Sequence, residues 1–176
     1  MPVVRFFFGL LLAAALHAVG TKVAPGFPRA VDLFLVTTVV VARHGRPEGG
    51  LFAGLLAGYA ADALSGGPFG LNGFADAAVG YGAALAARNL VVARPGSIAG
   101  LFALGAAAQG ALLYLVAALV VTGPARPDLF WLAVKIGSSA LAGLAWIRLA
   151  AAVERRLPGR RARPSGAIET SKSLLR

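Results

Sequence analysis

Six runs of nearly continuous apolar residues, at about 6–19, 30–42, 51–64, 71–87, 98–121 and 129–153, organise this chain. A bilayer core about 30 Å thick needs roughly 20 residues of helix at 1.5 Å rise per residue. The fifth and sixth runs meet that length. The second, third and fourth are short, so their helices are expected to extend into the flanks or to end inside the protein. The breaks have local causes. Pro25 and Pro28 separate the first two runs, and Gly45-Arg46-Pro47 the next two. Gly66-Gly67-Pro68 forms a tight uncharged turn, and Pro95-Gly96 and Pro124 with Pro127 mark the last breaks. The pattern predicts an all-α fold: a polytopic membrane bundle of six transmembrane helices, forming one domain over residues 1–153.

Composition strengthens this reading. Hydrophobic residues make up 58% of the 176 positions and charged residues 14%, whereas soluble domains carry roughly a quarter charged residues. The start, Met1-Pro-Val-Val-Arg5 followed by an apolar, Ala-rich run, resembles a signal peptide. A first membrane helix fits better, because it makes the charge of every later loop consistent. With the N-terminus inside, the cytoplasmic side carries Arg5, Arg43, Arg46, Arg88, Arg94 and the seven basic residues after Val153. The outside carries Lys22, Arg29 and Arg126, while Lys135 and Arg148 lie within the last helix. This asymmetry places both ends in the cytoplasm (N-in/C-in), with the tail deciding much of it.

The net charge of +10 does not point to nucleic acid. The basic residues lie at helix ends and in a tail without interleaved aromatic rings, so no stacking platform accompanies them. Affinity for anionic lipid headgroups, or simply orientation in the membrane, explains the charge better. Residues 154–176 are basic, broken by proline and glycine, and lack an apolar face, which reads as a disordered cytoplasmic tail. The absence of cysteine excludes disulfides, thiolate metal sites and thiol catalysis. His17 and His44 have no second ligand at metal spacing, so no metal and no cofactor are expected.

Gly50, Gly54, Gly58, Asp62 and Gly66 recur every four residues along the third helix. Such a ridge lets a neighbouring helix approach backbone to backbone. Packing within the protein is the favoured reading, and a groove for a partner helix is the alternative. Counted from the outer face, Asp32 and Asp62 lie near helix ends, while Asp76 and Lys135 each sit about six residues, or roughly 9 Å, deep. Ionisable groups at such depth are costly unless paired or hydrated. Lysine can snorkel; otherwise an ion pair of Lys135 with Asp76, or failing that Asp62, and a ligand site are equally open readings, with Gln109 making an interhelical hydrogen bond. Asp32, Asp76, Gln109 and Lys135 therefore form a candidate intramembrane polar site. Ser138 and Ser139 lie near Lys135, but metalloprotease, P-loop and nucleophile-elbow patterns are all missing from the sequence. No catalytic residue is assigned.

The run Gly54-Leu-Leu-Ala-Gly58-Tyr-Ala-Ala-Asp62-Ala-Leu-Ser-Gly66-Gly-Pro68-Phe-Gly70-Leu-Asn72, followed by Val79-Gly80-Tyr81, resembles the mid-chain signature of the MreD family of rod shape-determining membrane proteins. That signature is a glycine-spaced helix, an aspartate, and a Gly-x-Pro-Leu-Gly-like turn opening the next helix. About 30 residues carry the resemblance. Phe69 stands where the family usually has leucine, and Asp76 where an apolar residue is expected. The resemblance implies a non-enzymatic component of the bacterial cell-elongation machinery in the inner membrane. It also implies binding to an MreC-like protein and, with it, to the peptidoglycan synthase pair and MreB. Gly50, Gly54, Gly58, Asp62, Gly66, Pro68 and Gly70 would be its packing or partner residues. The family shares a six-helix fold with the substrate-binding subunits of ECF-type vitamin transporters, so such a subunit is the alternative. A pocket lined by Asp32, Asp62, Asp76 and Lys135 would then hold the ligand, and Ala14 and Ala18 resemble the motif that docks those subunits. A small carrier using Asp62 or Asp76 as a proton site is a third reading.

Overall fold

The computed structural model describes residues 2–66, 68–89, 95–120 and 128–156. All regular structure among them is helical: α1 Pro2–Val23, α2 Phe27–Ala30, α3 Leu33–Ala42, α4 Pro47–Ser65, α5 Leu71–Asn89, α6 Pro95–Val120 and α7 Leu129–Arg156. Punctuation residues set several of these bounds. Pro47 and Pro95 sit in the first turns of α4 and α6, where a missing N–H has no helical partner to lose. Gly66 ends α4 in the left-handed conformation at φ 66°, which a side-chain-bearing residue resists.

Among the described residues, three helices are long and apolar enough to cross a membrane: Val3–Val23, Pro95–Leu119 and Leu129–Val153. The distribution of side chains also identifies lipid as the solvent. Phe7, Phe8, Leu11, Phe52, Phe74, Leu104 and Leu141 face outward, whereas Asp62, Asp76, Gln109, Thr38 and Ser139 are buried. In water that arrangement would waste apolar burial and desolvate polar groups at once. In hydrocarbon it costs nothing outside and lets the polar groups satisfy one another inside. The chain is a multi-pass membrane protein.

The shortest of the main helices is the centre. α3 touches α1, α4, α5, α6 and α7, and every residue from Phe34 to Val39 is buried. Leu35, Val36 and Val39 pack with Val79 and Ala83 of α5 and with Leu101, Phe102 and Ala106 of α6. Thr37 and Thr38 return their hydroxyls to the carbonyls of Leu33 and Phe34, at 3.0 and 3.1 Å, so their burial leaves no free donor. The apolar run at 30–42 is therefore not one helix. It is interrupted at Val31 and Asp32, both extended, and α3 ends inside the protein.

The most extensive interface joins α4 to α5. Gly50 faces the Gly80 backbone, Gly54 the Asp76 backbone, and Gly58 the backbone of Asn72 and Gly73. A Cβ at any of the three would overlap that backbone. The ridge is thus occupied by this chain's own α5, as the packing reading expects, and those faces are not open to a partner helix. α7 continues to Arg156, and the remainder of the expected tail lies outside the described residues.

Candidate functional site

Asp62 closes the glycine ridge and fastens the turn that follows it. One carboxylate oxygen accepts the Gly70 and Gly73 N–H groups at 2.8 and 3.2 Å. The other accepts the Asn72 backbone N–H at 3.1 Å and the Asn72 side-chain amide at 2.8 Å. The first N–H groups of a helix lack intrahelical acceptors and sit at its positive end, so a carboxylate there is doubly favoured. The segment from Gly54 to Asn72 is consequently one unit: glycines admit α5, and Asp62 caps it. Phe69 stacks on Tyr59 with ring centroids 5.3 Å apart, clamping the turn to α4 from outside. Gly66 and Gly70 supply positive φ angles, and Pro68 is exposed between them. Asp62 is therefore a structural cap, and no hydrogen bond joins it to Lys135 among the described residues.

The second polar centre surrounds the interruption before α3. Asp32 caps α3, its Oδ1 accepting the Leu35 N–H at 3.0 Å. Its Oδ2 lies 2.9 Å from the Lys135 ammonium and accepts the Gln109 amide at 2.8 Å. The same Gln109 nitrogen donates to Asp76 Oδ1 at 2.6 Å. Ser139 Oγ accepts the Asp32 backbone N–H at 3.4 Å, and Ser138 donates to the Ala30 carbonyl. These two serines hold α7 against the backbone of the interruption.

The structure brings Asp32, Asp76, Gln109 and Lys135 into one hydrogen-bonded chain, but it changes the expected partner of Lys135. The ammonium pairs with Asp32, not with Asp76 or Asp62. The reason is the order of helices around α3: α5 and α7 do not touch, so Asp76 and Lys135 share a depth without sharing a contact. Gln109 on α6 spans the gap.

The Lys135–Asp32 pair also lines a partly open cavity of about 100 Å³, with His17, Ser65 and Asn72 on its wall. His17 is 8% exposed and packs against Phe34, and its Nδ1 has no hydrogen-bond partner. Sequence reading did not single out His17 or Asn72 as site residues. A polar residue in an otherwise Leu- and Ala-rich run was the available signal for His17. The other histidine, His44, lies beyond the opposite end of α3. Partial burial first, and then the charges of Arg43 and Arg5, hold its pKa below the ordinary histidine value. No protein-family model matches this chain, and no curated protein and no solved structure does so either.

Proposed function

We propose that this protein is a non-enzymatic scaffold of the MreD type, crossing the bacterial inner membrane six times with both ends in the cytoplasm. Its role in this reading is to hold an MreC-like partner and, through it, the peptidoglycan synthase pair and the MreB filament. The observation that carries the reading is the α4–α5 unit. Within the run that resembles the MreD signature, Gly54, Gly58 and Asp62 each have a defined task in joining the two helices, and Phe69, the departure from the family pattern, clamps the same turn. The run thus behaves as a motif rather than as a chance string of small residues.

Six crossings are supported by the level at which the polar residues meet. Asp32, Asp76 and Lys135 lie near the starts of α3, α5 and α7; Asp32 and Asp76 bond to Gln109 of the second half of α6, and Lys135 bonds to Asp32. That level suits α6 running opposite to α5 and α7, which together with the Lys and Arg asymmetry favours both ends inside.

A vitamin-binding subunit is the second reading. The broken helix beside ionisable groups favours it, since discontinuous helices line many transporter sites. The cavity opposes it: about 100 Å³ is well below the roughly 300–1,000 Å³ of pockets for drug-sized ligands. Co-purification decides between them. Tagged protein extracted in mild detergent is expected to retain an MreC-like protein co-expressed with it. Loss of that partner, with retention of transporter ATPases instead, would overturn the scaffold reading.

A further inference from the structure

The two buried aspartates on α4 and α5 are treated very differently by their surroundings. Asp62 receives four hydrogen bonds. Asp76, with no exposed surface, receives one, from Gln109, and its Oδ2 has no partner. Beside it the Oε1 of Gln109, equally buried, is also without one. Both bare atoms are oxygens, and both are acceptors. The one ammonium in the network is already matched by Asp32.

A buried network with two carboxylates, one ammonium and two unmatched acceptor oxygens lacks one positive charge. The geometry points to Asp76 as the binding site of one monovalent cation, a proton or a sodium ion, held between the bare oxygens of Asp76 and Gln109. Two bare oxygens suit a proton, which needs a single acceptor, better than sodium, which needs several.

The site lies one side chain in from the cavity: Lys135 and Asp32 line the cavity, and the Gln109 amide nitrogen donates to both Asp32 and Asp76. Among the described residues, the charged groups that act on Asp76 are Asp32 before α3, Asp62 on α4 and Lys135 on α7, and His17 of α1 lies on the cavity wall. Asp62 has its own donors, and Lys135 has Asp32. Uptake at Asp76 neutralises the network without breaking the Lys135–Asp32 pair.

Infrared difference spectroscopy on the purified full-length protein in lipid nanodiscs tests this. If the occupant is a proton, wild-type protein shows the carbonyl band of a protonated carboxylic acid near neutral pH, and Asp76→Asn lacks it. If it is sodium, that band is missing, but sodium chloride raises the wild-type Tm by several degrees over choline chloride at equal ionic strength, and Asp76→Asn abolishes the difference. Wild-type protein with neither signal overturns the proposal, and that result requires no variant. A band that persists in Asp76→Asn moves the proton to another carboxyl and overturns the assignment to Asp76. An Asp76→Asn protein that fails to fold also counts against it, because a neutral isostere should suit a site that is neutral when occupied.

Discussion

Replacing Asp62 with alanine removes the side-chain acceptor that, among the described residues, serves the start of α5. The backbone N–H groups of Gly70, Asn72 and Gly73 lose their partner together with the Asn72 side-chain amide. A hydrogen bond to a charged group contributes about 1.5–3 kcal/mol, and an N-cap residue about 0.5–2 kcal/mol. The four bonds share one carboxylate and cannot simply be added. Partial hydration of the turn, where Phe69 and Pro68 are exposed, recovers some of the loss. An overall cost of about 3 kcal/mol follows, roughly a hundredfold in the unfolding equilibrium. Asp62→Asn keeps one acceptor oxygen but loses the charge and turns an amide toward N–H donors, so about half of that cost is expected. The assay is reversible unfolding in mixed micelles, followed by the fluorescence of Trp131 and Trp146. An Asp62→Ala protein within about 0.5 kcal/mol of wild type, the range of an ordinary surface substitution, would refute the capping argument.

Two further perturbations separate packing from pairing. Gly54→Ala places a methyl group on the Asp76 backbone and is expected to cost about 1–3 kcal/mol. Gly137→Ala, which meets nothing within 4 Å, is expected to be neutral or stabilising by about 0.4–1 kcal/mol; equal effects at the two sites in thermal unfolding would contradict the close α4–α5 approach. Lys135→Met alone and Asp32→Leu alone each strand a charge, so both lower Tm. The double variant should recover part of the summed loss, and a purely additive result would show that the pair is energetically idle.

The sequence made the membrane character legible, because apolar run length and basic-residue bias are properties of single segments. The glycine ridge was legible too, since four-residue spacing of glycines already implies a close helix neighbour. What it hid depends on how helices are arranged around one another. Depth counted along α5 and α7 put Asp76 opposite Lys135, but the central position of α3 separates those helices and hands Lys135 to Asp32. The interruption at Val31–Asp32 was hidden for a different reason. No proline or glycine marks it; it is held by the caps and serines that surround it, namely Asp32 on Leu35 and Ser138 on Ala30. Asp62 illustrates a third case. Its sequence position suggested a membrane charge, and only the fold of the turn turns Gly70, Asn72 and Gly73 back onto it.

The proposed topology, six crossings with both ends inside, sets the depth of the polar network, and single-cysteine labelling tests it most directly. The chain has no cysteine of its own, so introduced thiols report without background. Pro68 and Asp128 are exposed beside the α4–α5 turn and at the start of α7, while Glu48 and Ser97 are exposed at the opposite ends of α4 and α6. In intact cells an impermeant maleimide is expected to label Pro68→Cys and Asp128→Cys, and to label Glu48→Cys and Ser97→Cys only after permeabilisation. Labelling of Ser97→Cys from outside, or protection of Asp128→Cys, would contradict the topology.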